Sequence, residues 1–242
     1  MPSSRRSAAL LVALTLGSAP LAAADFVERA STRDWYLSLG VAQAPEIEEE
    51  SSGPGGGSTY EWEGIEDSVA PRLALGYLAC SGGARGGWAL GLEGVFTTCD
   101  ATPSRYEVGD LEFNNTSNRT LRYSTLGLTL FGGYEFGINS DSDTLSSFLI
   151  IGPFVGGGAA YADSEVRDQG GAYDSDSGIG WYVEGGLRGG FFLTERHWVL
   201  GVMVDFTIGT GEVEVDFGNG SDSTLTHDRV GLAGAVVVGY RL

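Results

Sequence analysis

The stretch GLAGAVVVGYRL, residues 231–242, decides the fold. Its side chains sort into two faces, because one apolar series falls at the even positions Leu232, Val236, Val238, Tyr240 and Leu242. The odd positions hold small residues, one valine and Arg241. A period of two predicts a β-strand. This strand has a bulky apolar face and a second face that is nearly empty.

Seven earlier segments repeat this alternation: 35–41, 69–79, 88–96, 123–136, 148–161, 179–191 and 198–208. Short connections alternate with long acidic ones, which are predicted as loops at 45–68, 97–122, 162–178 and 209–228. An even number of strands of about ten residues, joined by alternately short and long connections, is typical of outer-membrane barrels. We predict an all-β fold, an eight-stranded antiparallel up-and-down transmembrane β-barrel. The fifth segment is apolar on both faces, which leaves its phase open.

A secreted β-sandwich or lipocalin-like barrel would also show eight alternating strands. Such a soluble barrel buries its apolar face and therefore needs polar residues on the other face. Here the other face is mostly Gly and Ala with a few charges, which suits a narrow lumen. The pattern therefore favours the membrane barrel, with apolar side chains in lipid.

The ends and the charge of the chain limit its location and partners. Residues 1–24 have the features of a secretory signal peptide, with two arginines, an apolar stretch and an Ala-rich cleavage site. Residues 25–242 then form one outer-membrane barrel domain. The chain has 32 acidic residues against 14 basic ones, a net charge of −18, and no lysine. This charge argues against nucleic acid as a partner, because phosphate contacts need clustered basic residues.

Aromatic residues of the outward face are predicted to lie at two heights, as membrane interfaces favour. A girdle at the periplasmic end is expected from Trp35, Tyr77, Trp88, Tyr134, Phe136, Phe191, Trp198 and Tyr240. A girdle at the outer end is expected from Phe96, Tyr161, Trp181 and Phe206.

Seven charged residues fall on the lumen face: Arg72, Glu93, Glu135, Glu184, Arg188, Asp205 and Arg241. Charges in a narrow lumen must be paired, so we predict an ion-pair network that includes a Glu184–Arg188 pair. Glu135 and Arg241 are expected near the periplasmic rim. The network could act as a gate or proton path, or it could serve packing and register alone.

An enzyme is the second class considered, since small outer-membrane barrels include lipid A deacylases and palmitoyltransferases. Those enzymes need a nucleophile with a positioned histidine. His197 is expected in a periplasmic turn, and His227 in the loop at the outer rim. A cluster of Asp222, Ser223 and His227 is conceivable, but these are common loop residues. We therefore predict no catalytic residues.

No cofactor or dedicated metal site is predicted either. The Asp-rich segments 139–143 and 174–178 lack the Gly and Glu of a calcium loop. Cys80 and Cys99 are expected at opposite ends of the barrel, about 30 Å apart, which excludes a disulfide between them.

The whole mature chain resembles small eight-stranded outer-membrane proteins of the OmpA/OmpX/OmpW type. The resemblance is most specific in GPFVGGGAAYAD (152–163), GWYVEGGLRGGFFLTERHWVLGV (180–202) and VVVGYRL (236–242). It implies a C-terminal signal for the outer-membrane assembly machinery, formed by Val236, Val238, Tyr240 and Leu242. Leu242 departs from the family pattern, which usually ends in Phe.

The resemblance implies a monomer in the outer membrane of a Gram-negative cell, in contact with membrane lipid and lipopolysaccharide. The expected function is non-enzymatic: a structural, adhesive or interaction role through the acidic loops, where divalent cations could relieve repulsion from lipopolysaccharide. The alternative is a narrow channel for small apolar solutes, as in OmpW-like proteins. A lipid A-modifying enzyme is the remaining possibility.

Overall fold

The computed structural model describes residues 32–52, 58–62, 69–81, 86–101, 105–108, 111–114, 119–138, 145–167, 173–216 and 222–242. The predicted signal peptide, 1–24, lies outside these ranges. The regular structure within them is entirely β-strand. Across these same ranges no helix has the length and apolarity needed to span a membrane.

Eight long strands form a closed antiparallel ring. They are β1 (Thr32–Gln43), β4 (Val69–Cys80), β5 (Gly87–Ala101), β8 (Arg119–Ile138), β9 (Leu145–Arg167), β10 (Tyr173–Glu195), β11 (Trp198–Asp216) and β12 (Asp222–Arg241). Neighbours in the chain order of this set pair with each other, and β12 pairs with β1 to close the ring. The predicted eight-stranded up-and-down barrel is therefore confirmed; seven predicted segments each lie within one of these strands, and the eighth, 231–242, extends one residue past β12.

The two faces of each strand follow the predicted alternation. Along β11, Leu200, Val202 and Val204 point outward and are about half exposed, whereas Met203 and Asp205 are buried inside. In β9, the segment of open phase, Leu149, Ile151 and Val155 face outward, and the rings of Phe148 and Phe154 fill the interior. Large apolar residues therefore cover the outside of the ring.

The two ends of the barrel differ. At the turn end lie the tight Arg196–His197 turn between β10 and β11, and the C-terminal Leu242. Arg196 adopts a left-handed backbone conformation there, with φ of 54°. The other end, the extended end, contains four further strands: β2 (Glu46–Ser52), β3 (Ser58–Trp62), β6 (Arg105–Val108) and β7 (Leu111–Asn114).

The prediction of long loops is wrong over much of the extended end. β12 continues past its pairing with β1 and pairs with β2 from Glu46↔Asp228 to Ser52↔Asp222. β3 then pairs with β2 and with β6, and β6 with β7. Strands persist here because Ile47, Val213 and Leu225 point inward and are buried, while the acidic residues Glu48, Glu50 and Glu214 point outward; Glu49 is the exception in β2, since it shares the inward face of Ile47 and is also buried. Charge suggested loops, but the alternation of a strand continued.

Two apolar clusters fill the interior, one towards each end. The turn-end cluster includes Tyr36, Leu78, Phe131, Phe148, Ile150, Phe154, Phe192, Val199 and Met203. The extended-end cluster includes Ala44, Ile47, Ala70, Cys99, Leu121, Tyr123, Val213, Val215 and Leu225. Interior glycines make room for the rings: a Cβ on Gly76 would lie 2.3 Å from Cζ of Tyr36. The many glycines of the inward face thus serve packing.

Candidate functional site

The most highly charged part of the interior lies between the two apolar clusters. Arg188 donates two hydrogen bonds of 2.8 Å to the carboxylate of Asp205, one from Nε and one from Nη2. Its third nitrogen, Nη1, lies 2.7 Å from Oε2 of Glu93. The strands β5, β10 and β11 therefore meet through one guanidinium group.

Arg72 and Tyr36 complete this centre. Nη2 of Arg72 lies 3.3 Å from Glu93 and 3.6 Å from Asp205. The hydroxyl of Tyr36 donates a 2.7 Å hydrogen bond to the other oxygen of Glu93. We call Arg72, Glu93, Arg188 and Asp205 the central quartet. It has two positive and two negative charges, so it is neutral as a whole, as burial requires.

Arg188 is also held by aromatic rings. Its guanidinium carbon lies 5.7 Å from the ring centroid of Phe131 and 5.3 Å from that of Phe154. Both rings belong to the turn-end cluster, so Arg188 links the quartet to that cluster.

Glu184 does not pair with Arg188, contrary to the prediction. Its partner is Arg229 on β12, with Nη1 of Arg229 3.5 Å from Oε2 of Glu184. Glu184 and Arg188 share the inward face of β10, but four residues of strand separate them by about 13 Å. Arg229 was missed because the sequence placed the start of the last strand at residue 231. The alternation of His227, Arg229 and Gly231 would have revealed it.

The remaining predicted lumen charges lie at the turn end. Glu135 is fully buried on the inward face of β8, in register with Gly87. Arg241 donates two hydrogen bonds of 2.8 Å to the carboxylate of Asp34. Asp34 was not among the predicted residues, because the first strand was taken to begin at residue 35, although its place two residues before Tyr36 puts it on the lumen face.

A polar cavity lies on the extended-end side of the central quartet. Gln43, Thr97, Tyr182, Glu184, His227 and Arg229 are among the residues that line it, and its free volume, its mouth included, is about 400 Å³. Thr97 and Thr125 share a 2.6 Å hydrogen bond at its wall. Tyr123 and His227 hydrogen-bond through the Tyr123 hydroxyl and Nδ1 of His227.

The barrel wall is interrupted beside this cavity. β1 pairs with β12 as far as Ala42↔Ala233, and β2 takes over at Glu46↔Asp228. Among these described residues, 43–45 and 229–232 have no register partners across this seam, and we call this interruption of the strand pairing the wall break. Gln43 and Pro45 on one side and Arg229 on the other line the cavity.

A second interruption lies between β4 and β5. Their pairing reaches only Arg72↔Thr97, whereas β5 stays paired with β8 up to Ala101↔Leu121. Ala70 and Cys99, from the two sides of this interruption, both line the polar cavity. Pro71 fits the gap, since it has no N–H to donate.

The residues of the predicted girdles all project outward. At the turn end, register partners place Tyr77 beside Trp35, Trp35 beside Tyr240 and Tyr240 beside Trp198. This row crosses four adjacent strands, and Trp88 and Tyr134 pack edge to face on two others. The outer-end residues Phe96, Tyr161, Trp181 and Phe206 are 40–50% exposed.

The histidines differ from each other in their surroundings. His197 lies in the tight turn, as predicted, and stacks on Tyr240. His227 lies inside β12 rather than in a loop, and it is buried against Tyr123. Ser223 also faces inward, but four residues of strand place it about 13 Å from His227, too far for a nucleophile and its base. Ser223 and His227 therefore do not form the catalytic cluster that was considered from the sequence.

The cysteines and the acidic side chains are the residues that could form a disulfide or hold a metal ion. In the described ranges, Cys80 at the turn end and Cys99 near the extended end are both buried and are not joined in a disulfide. Over the ranges described above, no group of three or more His, Cys, Asp or Glu side chains could hold a metal ion.

These features define the class of the protein: a closed eight-stranded antiparallel β-barrel with an apolar exterior and a lumen filled by ion pairs and rings. No protein-family model matches the sequence, and no curated protein matches it. Among solved structures, it is similar to the outer membrane protein OprG from Pseudomonas aeruginosa, with 10% identity, coverage of 89% of this chain and 98% of that one, and a TM-score of 0.43.

Two further solved structures are similar at the same level. The outer membrane protease OmpT from Escherichia coli shares 7% identity, with coverage of 87% of this chain and 97% of that one and a TM-score of 0.39. Ail, the attachment invasion locus protein of Yersinia pestis, shares 13% identity, with coverage of 87% and 99% and a TM-score of 0.29. The class stated above rests on the strand pairing of this chain.

Proposed function

We propose that this chain is a non-enzymatic β-barrel protein of the Gram-negative outer membrane, with a closed lumen and an extended outer end that serves structure, adhesion or another interaction. The observation that carries the proposal is the outward face of the ring. Large apolar side chains cover it on all eight strands; Leu90, Ile179 and Leu232, for example, are 65%, 71% and 60% exposed. In water this surface would be costly, whereas in lipid it is the expected exterior.

The backbone supports the same placement. A lipid-embedded strand must satisfy its N–H and C=O groups within the protein, and a closed ring achieves this wherever both edges of each strand are paired. The β12–β1 pairing provides that closure in the apolar band, from Asp34↔Arg241 to Ala42↔Ala233. A soluble barrel would instead need its apolar face inside.

The interior supports a closed lumen. The central quartet crosses it at mid-height, with the turn-end cluster on one side and the extended-end cluster on the other. Function is then expected at the extended outer end, where Glu48, Glu50, Asp228 and Glu214 project outward. Such a surface is suited to cationic partners or to divalent cations shared with lipopolysaccharide.

Insertion can be tested by tryptophan fluorescence of the refolded chain in phosphatidylcholine vesicles. Bromines carried near the headgroups are expected to quench more strongly than bromines at the bilayer centre, because Trp35, Trp88, Trp181 and Trp198 are outward aromatics near the edges of the apolar band. Tryptophan emission that is not quenched by brominated lipid would overturn the membrane placement. Planar-bilayer recording should show no stable conductance if the lumen is closed.

A route for small apolar solutes is the second candidate, and the wall break favours it. The wall break lies beside the polar cavity, so a solute could reach that cavity laterally through the barrel wall, without passing along the lumen. Cells that lack this chain should then admit the apolar dye N-phenyl-1-naphthylamine more slowly. Equal uptake with and without the chain would contradict the solute route, and the interaction role would be the remaining candidate.

A further inference from the structure

Gln43 is the side chain that occupies the wall break. It is exposed, it follows the last register pair of β1 with β12, and it lines the polar cavity. A Cβ on Gly231 would lie 2.8 Å from Cβ of Gln43 and 2.7 Å from its Oε1. The glycine therefore leaves room for the Gln43 side chain to lie across the gap, between the outside and the cavity.

Arg229 is the cavity residue with unused hydrogen-bonding capacity. Its side chain is only 13% exposed, and its contact with Glu184 is long, at 3.5 Å. Within the described part of the chain, its Nε is buried and has no hydrogen-bond partner. A buried guanidinium donor normally has an acceptor. The hydroxyl of Tyr182 and the amide of Gln43 add further polar groups to the same cavity.

The charges around the cavity decide which kind of acceptor fits. Arg229 is balanced by Glu184, and the central quartet beneath is neutral in itself. An anion bound here would add an unbalanced charge to a buried site, which is strongly unfavourable. An uncharged group that accepts from Arg229 and donates to Glu184 adds hydrogen bonds without net charge. An alcohol hydroxyl has both capacities.

The size of the cavity sets a second limit. The space in it that water-sized bodies can occupy holds about one or two water molecules, which is the size of a hydroxymethyl group. The rest of a longer ligand must therefore extend out of the cavity through its mouth. At the wall break the neighbouring outward side chains are apolar, including Val230 and Leu232, which are 65% and 60% exposed.

We propose that the polar cavity binds the head of a small uncharged amphiphile, such as a medium-chain primary alcohol. Arg229 and Glu184 bind the hydroxyl, and the alkyl chain passes Gln43 and the wall break to lie against the apolar exterior. The inference rests on the proposed placement in lipid, which would hold the chain of the ligand outside the barrel.

The two native cysteines provide the test. Cys99 lines the polar cavity, whereas Cys80 is buried at the turn end, where β4 is paired on both sides, with Thr32 and Ala89. Single-cysteine variants Cys80→Ala and Cys99→Ala are refolded into vesicles, and the rate of modification by methyl methanethiosulfonate is measured. Cys99 should react faster than Cys80. 1-Octanol at about nine times its Kd should slow the reaction at Cys99 about tenfold and leave Cys80 unchanged.

Two control compounds are compared with octanol at equal mole fraction in the membrane. n-Octane has the alkyl chain without the hydroxyl, and octanoate has the same chain length with an anionic head. Neither should protect Cys99. The double variant Glu184→Gln with Arg229→Gln keeps the lumen neutral and should abolish protection by octanol. Gln43→Tyr should slow the reaction of Cys99, and Leu39→Tyr, on the same strand face where the wall is paired on both sides, should not.

Protection by octane equal to that by octanol, stronger protection by octanoate, or protection that persists in the double variant would each overturn the inference. Equal reaction rates at Cys99 and Cys80 would do so as well. Quenching by brominated lipid is measured on the same samples. A chain that fails to insert contradicts the proposed function, whereas one that inserts without protection of Cys99 contradicts only the ligand site.

Discussion

Asp34 in the first strand of the ring and Arg241 in the last are register partners, joined by two hydrogen bonds of 2.8 Å. The side chains are only 2% and 15% exposed. The guanidinium of Arg241 also lies 5.9 Å from the ring centroid of Phe148 in the turn-end cluster. One ion pair therefore joins the first and last strands of the ring to each other, and Arg241 also contacts the turn-end cluster.

Removal of either partner of this pair should destabilise the barrel. Asp34→Ala or Arg241→Ala leaves a buried charge without its partner, which typically costs about 3–5 kcal/mol. The free energy of unfolding in urea, measured on refolded protein, checks this. The exchange of the two residues, Asp34→Arg with Arg241→Asp, should recover part of the loss. Arg33→Ala is the matched control, since Arg33 is exposed on the opposite face. A loss as large in Arg33→Ala would show that the pair has no special role.

The ring itself could be predicted from the sequence because its signal is local. A large apolar residue at every second position is visible within each strand, as from Trp198 to Ile208. Antiparallel order then follows from short connections, since strands joined by a tight turn such as Arg196–His197 must be neighbours. Each of these inferences needs only a few consecutive residues.

The pairing inside the lumen could not be predicted in the same way. Whether a side chain points inward follows from its odd or even position in the strand. Which charges meet depends on the stagger between strands, and the sequence of a single strand does not determine it. Arg188 meets Asp205 because the two are register partners across β10 and β11. Glu184 instead meets Arg229, from a strand that is not adjacent to β10. The wall break likewise depends on how β12 pairs with both β1 and β2, and no single segment contains that information.

The two lumen pairs lead to a prediction about additivity. Arg188→Ala and Asp205→Ala should each cost about 3–5 kcal/mol, and the double variant should cost clearly less than the sum, because both changes remove one interaction. Glu184→Ala and Arg188→Ala act on different pairs, so their costs should add to within about 0.5 kcal/mol. Unfolding in urea measures all the variants. Strong coupling between Glu184 and Arg188 would contradict the observed pairing.

The first acidic segment should contribute to the extended end. Shortening residues 46–66 to a tight turn removes β2 and β3. β2 pairs with β12 over residues 222–228 and buries Ile47. The eight-stranded ring should still form, because its own strands pair with one another. The heat-dependent gel shift of the barrel should therefore persist, while proteinase K should now cut within the unprotected part of β11 and β12. Unchanged resistance to the protease would mean that β2 does not support these strands.

The last three residues should determine whether the barrel assembles at all. Tyr240 is in register with both Trp35 and Trp198, and the backbone N–H of Leu242 donates a 3.0 Å hydrogen bond to the carbonyl oxygen of Arg33. Deletion of residues 240–242 removes these contacts together with the Asp34–Arg241 pair, and leaves strand edges unpaired in hydrocarbon, at several kcal/mol for each backbone group. The truncated chain should be exported but remain periplasmic and sensitive to protease, as judged by cell fractionation and by loss of the gel shift. Leu242→Phe, the matched control that keeps the strand and restores a terminal aromatic residue, should assemble at least as well as the parent. Normal assembly of the truncated chain would show that neither the closing contacts nor the C-terminal residues Val236, Val238, Tyr240 and Leu242 act as proposed.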